Sequence, residues 1–243
     1  MPSENRIEFT KENLDRYLKE VAREYRRLAG KGMPAELILI GGASILINYG
    51  FRGMTTDIDA LILASSAMED AILRVEEKFD LPHGWLNADF TRTESYTPKL
   101  KEYSVYYRQY ANVLTLRTVS AEYLIAMKLR SGRQYKNDLS DVLGILAEHE
   151  KRGTPLTMEQ IKKAVADLYG DWNALPEKSQ HFMEDVMDDG HFDALYQQVS
   201  AGEQDAHSAL LRFEKDYPGV IDEANADEII KALQVKKQKS KMN

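Results

Sequence analysis

The chain of 243 residues contains no cysteine. Disulfides, thiolate-bound metals and a cysteine nucleophile are therefore all excluded. Long apolar runs are missing too. The longest, around residues 37–47, is broken by Gly41 and Gly42 and falls far short of the roughly 20 residues a membrane-spanning helix needs. The opening residues Met1-Pro2-Ser3-Glu4-Asn5 are polar, and no apolar stretch of a secretory leader follows them. No membrane contact is expected, and the expected location is the cytoplasm. The five histidines show no metal-ligand spacing. There is no internal repeat and no low-complexity stretch. Basic charge is in deficit, with 32 Lys and Arg against 39 Asp and Glu, a net charge of −7. That excludes a protein that coats nucleic acid by bulk charge.

What is present is a globular composition, 43% apolar and 29% charged, in a chain long enough to bury a core. The charge is unevenly placed. Residues 164–230 carry 16 acids against Lys178, Arg212 and Lys215, a net −13. Five lysines and no acid follow, from Lys231 onward. Residues 92–136 hold nine Lys or Arg against three Glu. The step near residue 163 marks a candidate domain boundary, although two solvated surfaces of opposite sign would produce the same pattern.

Apolar periodicity predicts a helix over 10–28, with Thr10 as cap and Leu14, Leu18, Val21, Tyr25 and Leu28 on one face. Residues 36–40 read as a strand buried on both faces. A short helix over 43–49, a strand over 57–63 and a helix from Ser65 or Ser66 to 79 come next. Residues 82–97 look irregular. Strands are expected over 103–107 and 112–119, and helices from 120 to 129 and over 138–148. Beyond Thr157 the pattern is helical throughout. Pro176 starts one helix, residues 205–216 form another, and the last runs into a lysine tail expected to fray. The fold class is α/β (α+β): a small mixed sheet flanked by helices, followed by an all-helical region. The expected domains are 1–150 and an acidic helical part, 151–243, with a basic tail.

The strongest local signal is Gly41-Gly42-Ala43-Ser44 after a buried strand, with Thr56 and Asp57-Ile58-Asp59 opening the next. A strand, two glycines and a helix start leave backbone N–H groups facing outward with no side chain in the way, which suits a phosphate. Strand period two sends Asp57 and Asp59 to one face, where a divalent cation relieves their repulsion. Mg²⁺ takes one or two carboxylates together with substrate phosphate oxygens. A phosphate cradle beside two carboxylates is the minimum equipment for phosphoryl or nucleotidyl transfer. Taken singly, each half is also compatible with an ordinary tight turn and a solvated strand edge. In the second block, Lys128, Arg130, Arg133 and Lys136 lie on or just after a helix, where several can reach a triphosphate. Asp138 and Asp141 share a face of the next helix. Ordinary surface ion pairs would show the same spacing.

The segment ending in Asp57-Ile58-Asp59 resembles the first motif of the nucleotidyltransferase superfamily of the DNA polymerase β type. The block from Lys128 to Asp141 resembles the lysine-then-aspartate pattern of AbiEii-type nucleotidyltransferases, which include abortive-infection and toxin–antitoxin toxins. The resemblance covers about residues 33–148. It implies Mg²⁺ (or Mn²⁺) on Asp57 and Asp59, an NTP whose phosphates meet Gly41, Gly42, Ser44, Thr56, Arg130, Arg133 and Lys136, and catalytic roles for Lys128, Asp138 and Asp141. It implies transfer of NMP to a hydroxyl of RNA, such as a tRNA end, or of a protein, and a cognate antitoxin or other basic protein partner. One feature departs from the wider superfamily: strand 113–119 carries no third carboxylate, and Asp89 is the nearest substitute. A catalytically degenerate binding module therefore stands beside the enzyme, and so does a γ-phosphate kinase.

Overall fold

Helix α1 (Lys11–Ala29) opens with a capping box: the Asn13 N–H donates to Thr10 Oγ1, and the Thr10 N–H donates to Asn13 Oδ1. Leu14, Tyr17, Leu18, Val21, Ala22 and Tyr25 recur at helical spacing and are buried. Gly30, at φ 84°, ends the helix where a side chain would strain the backbone. The computed structural model describes residues 7–133, 136–222 and 225–241.

The chain divides into two units, each drawing on both sides of residue 150. The first unit, residues 1–127 and 159–171, holds the sheet. Strand β1 (Ala35–Leu39) lies at its centre, antiparallel to β2 (Ile58–Leu63) and parallel to β5 (Leu114–Val119). Strand β3 (Leu86–Asn87) extends one edge and β4 (Ser104–Tyr110) the other, in the order β3-β2-β1-β5-β4. Leu37 and Leu39 of β1, Ile58 and Ala60 of β2, and Leu114 and Leu116 of β5 join one core with α1 and α3 (Ala67–Phe79). Between β1 and β2 runs α2 (Gly41–Asn48), and α4 (Ala121–Ser131) follows β5. Helix α6 (Met158–Tyr169) also contributes here, its Asp167 accepting from the Tyr123 hydroxyl at 2.7 Å.

Two local differences from the expected elements have physical causes. Residues 82–97 contain β3 and one short 3₁₀ turn, at 89–92, because a strand of two residues is too short to show any period. Residues Ala111 and Asn112 lie in the hairpin between β4 and β5 with φ of 49° and 56°, so the strand placed at 112 begins after a left-handed turn, a conformation Asn tolerates. The tyrosines around β4 have separate surroundings: Tyr103 stacks on Tyr123 with centroids 4.0 Å apart, the Tyr110 hydroxyl donates to Asp15, and Tyr106 is exposed.

The second unit, residues 128–158 and 172–243, is helical. It contains α5 (Asp138–Lys151), α7 (Glu177–Asp189), α8 (Phe192–Asp216) and α9 (Ala226–Lys241). Helix α7 follows Pro176 and stops at Gly190, φ 72°. Helix α8 begins thirteen residues before the expected 205, at Phe192; the polar Gln197-Gln198 pair and Gly202 hide its first half from a periodicity reading. Ala206 and Leu210 of α8 pack with Ala226 and Ile230 of α9. The chain is helical to Lys241, where fraying was expected. No described helix is long and apolar enough to cross a membrane.

Candidate functional site

Helix α2 begins two residues after β1 ends. The glycine pair is thus its first turn, where the sequence placed the start at Ala43. Gly41 takes φ 53°, a value that L side chains rarely adopt, and this lets the helix start so abruptly. Ile40 supplies no side-chain cap. The first N–H groups of such a helix have no intrahelical acceptor, which keeps the anion-binding character inferred for the turn.

Gly42 is required for space. A Cβ there would lie 2.7 Å from Thr55 Oγ1 and 2.8 Å from a guanidinium nitrogen of Arg52. Thr55 is fixed from the other side: its N–H donates to the Phe9 carbonyl at 2.9 Å, and its carbonyl accepts from the Phe9 N–H at 2.8 Å. Phe9 is itself fully buried and stacks on Trp85. So held, the Thr55 hydroxyl donates towards Asp57, 3.3 Å from both its carboxylate Oδ1 and its carbonyl. The Asp59 carbonyl accepts from the Ile40 N–H at 2.9 Å, at the very start of α2. Glycine turn and carboxylates therefore form one constellation. Asp57 and Thr56 are exposed and Asp59 half-buried, with Ile58 and Ala60 buried between and after them, so both carboxylates share a face.

Gly42→Ala is expected to cost about 1–3 kcal/mol, because Thr55 cannot retreat without breaking its Phe9 pairing. Urea unfolding measures this. A neutral result would mean that the close approach of Thr55 is not as described.

Two residues change role. Ser44, expected at the phosphate turn, is fully buried one turn into α2, and its Oγ accepts from the Val119 N–H at 3.4 Å. It ties α2 to the sheet and does not face the turn. Arg52 was not singled out from the sequence. Its Nε donates to the Met54 carbonyl at 3.1 Å, and its guanidinium lies against Gly42. A cation five residues before Asp57, in a stretch that otherwise reads as a polar turn, was the available signal.

Among the described residues, no group of three or more His, Asp or Glu is placed to hold a metal ion. Asp89 is exposed and lies 3.5 Å from Arg92. Asp57 and Asp59 thus offer two oxygen donors. That set fits Mg²⁺ or Mn²⁺ arriving with a phosphate ligand, and does not fit an ion held by protein alone.

The second block forms a cluster within the helical unit. The Lys128 ammonium, 12% exposed, lies 2.8 Å from Asp138 Oδ1 and 2.8 Å from Asp141 Oδ2. Arg133 donates to Asp138 Oδ2 through Nε at 3.0 Å and through its backbone N–H at 3.3 Å. Both carboxylates are buried. Burial alone would raise the Asp138 carboxyl, but the charges of Lys128 and Arg133 and their hydrogen bonds overcome it and hold the group well below the usual carboxylate range. Arg130 donates to the Ala174 carbonyl, an anchoring contact. Lys136 is exposed, and its carbonyl accepts from the Asp138 N–H.

Sequence reasoning also missed Glu203. It is 3% exposed on α8, with Oε1 accepting from the Leu139 N–H at 2.9 Å and Oε2 from the Ser140 N–H at 3.3 Å. Burial pushes its carboxyl up to about 7; the hydrogen bonds from Ser140 and Leu139 oppose that, and Asp141 adds to it. The unfolded chain releases this proton near 4.5. Across that window the folded state keeps the extra proton, so stability falls as pH rises from 4.5 to 7. At roughly 1.4 kcal/mol per unit the loss is of the order of 3 kcal/mol. Urea unfolding of wild type and Glu203→Gln at both ends of the window is expected to show that slope in the wild type alone. Equal losses in the two proteins would contradict the assignment.

A family described as a nucleotidyltransferase of unknown function (DUF6036) matches residues 16–150. The chain belongs to this family. The match spans the constellation around Asp57 and Asp59 and the block from Lys128 to Asp141. The family description names no substrate, metal or partner. No curated protein and no solved structure matches the chain.

Proposed function

We propose that the protein transfers a nucleoside monophosphate from an NTP to an acceptor hydroxyl, with release of pyrophosphate. The observation that carries this reading is the Thr55 hydroxyl, which adjoins Gly42 of the α2 first turn and donates to Asp57. It makes one site of an anion-binding turn and a two-carboxylate face, in a chain that belongs to a nucleotidyltransferase family.

In this reading the N–H groups around Gly41 and Gly42, with Arg52 and Thr56, take the phosphates. Asp57 and Asp59 hold the Mg²⁺ that accompanies the nucleotide. That ion, when bound, supplies charge neutralisation at the phosphates. The acceptor hydroxyl oxygen attacks the α-phosphorus and its proton passes to solvent water; the bond from the α-phosphorus to the bridging oxygen breaks, and the electron pair leaves with pyrophosphate. For the second block we propose that Asp138 and Asp141 fix Lys128, and that the motif provides a rigid ion cluster in place of a free cation. The acceptor is an RNA or protein hydroxyl. The strongly acidic stretch 164–230 favours a basic protein partner, such as the antitoxin of a toxin pair.

The two-carboxylate set supports a second reading, a module that binds nucleotide without transferring it. Incubation with α- and γ-labelled NTPs, Mg²⁺ and total RNA or lysate separates the two. α-Label in a macromolecular product supports transfer, and γ-label points to a kinase. Mg²⁺-dependent NTP binding without label in product supports the module.

A further inference from the structure

We propose that Glu203 is a positioning residue: from α8 it clamps the first turn of α5 and thereby holds Asp138 and Asp141 on Lys128. The first N–H groups of a helix need acceptors from outside it. The N-cap of α5, Asn137, supplies none from its side chain. Both oxygens of Glu203 fill that role, at 2.9 Å to Leu139 N and 3.3 Å to Ser140 N. These amides lie between Asp138 and Asp141, the two residues whose carboxylates meet Lys128. The clamp and the ion cluster are thus two sides of one helical turn.

A local Ser, Thr or Asp at the cap position would satisfy the same amides. Instead the acceptor comes from a residue more than fifty positions beyond the family match, buried and close enough to Asp141 to feel its charge. A tertiary cap fixes α5 against α8 as well as ending it, which a local cap cannot do. This assigns a task to the C-terminal helices: they set the geometry of a motif that lies in residues 128–141. Its relevance to transfer rests on the proposed function, but its test needs no turnover.

The full-length protein is pulsed with an N-hydroxysuccinimide acetate ester, and acetylation of Lys128 is followed by mass spectrometry. Lys19, exposed on α1, is the internal control. Glu203→Ala is expected to raise the Lys128 rate roughly tenfold, on the scale of a lost helix cap, with Lys19 unchanged. Glu203→Gln, which keeps one acceptor, is expected to restore most of the protection. A wild-type Lys128 rate in folded Glu203→Ala would overturn the proposal and leave Glu203 a plain cap. Should that variant not fold, hydrogen exchange in Glu203→Gln decides. At least one of the Leu139 and Ser140 amides is expected to lose protection about tenfold relative to Ile145. Full protection at both would overturn the proposal. Neither readout depends on NTP chemistry, so failure here is distinct from failure of the transfer reading.

Discussion

Lys128→Met is expected to destabilise the helical unit by about 3–5 kcal/mol, the range for removing one partner from a buried ion pair. The substitution takes the ammonium from Asp138 and Asp141 together. Asp138 keeps Arg133 at 3.0 Å, while Asp141, 3% exposed, loses its 2.8 Å contact with Lys128. A buried carboxylate that loses this counter-charge must then either protonate or open the helix end to water. Lys128→Arg is not a conservative rescue. A planar fork donates in fixed directions and does not reproduce a compact ammonium 2.8 Å from two carboxylates on one helix face. The double variant Lys128→Met, Asp141→Asn should recover part of the loss, because the buried charge of Asp141 is gone while Asp138 keeps Arg133. Urea unfolding followed by circular dichroism measures all three. A cost below about 1 kcal/mol for Lys128→Met would place the cluster at the surface, where ion pairs contribute little.

The second large effect concerns nucleotide binding. Asp57→Asn with Asp59→Asn is expected to weaken Mg²⁺-dependent NTP affinity by roughly a hundredfold or more, since the amides keep the shape but remove the charges that hold the cation. Affinity in the absence of Mg²⁺ should change little, because the α2 first turn and Arg52 are untouched. Titration calorimetry with and without Mg²⁺ separates the two terms. Stability should be near the wild-type value, as Asp57 is exposed and Asp59 half-buried.

The parts of this fold legible in the sequence are those whose signal is local. The Thr10 cap and the apolar spacing of α1 lie within one helix. Strand β1 could be read from its apolar run, and the turn that leads into α2 from two glycines. Period two placed Asp57 and Asp59 together, and the spacing of Asp138 and Asp141 put both on one helix face. What was not legible depends on partners distant in sequence. Strand β3 exists because Ile58 and Asp59 pair with Leu86 and Asn87. Ser44 points inward because α2 starts two residues earlier than its composition suggests. Arg52 becomes notable only once its guanidinium is seen over Gly42. Glu203 is one acid among sixteen in an acidic stretch, and only the packing of α8 on α5 distinguishes it. The net charge of −7 is likewise a property of that stretch and says nothing against a phosphate-binding site in the first unit.

The central claim is that the turn at Gly41 and Gly42 and the carboxylates of Asp57 and Asp59 form a nucleotidyl-transfer site. The most direct measurement is transfer of α-labelled NTP to macromolecules in lysate by wild type and by Asp57→Asn, Asp59→Asn, with Mg²⁺ or a chelator. The account predicts α-label in product for the wild type with Mg²⁺, none with γ-label, and loss of signal on chelation and in the double variant. Equal α-label transfer by the double variant would contradict it.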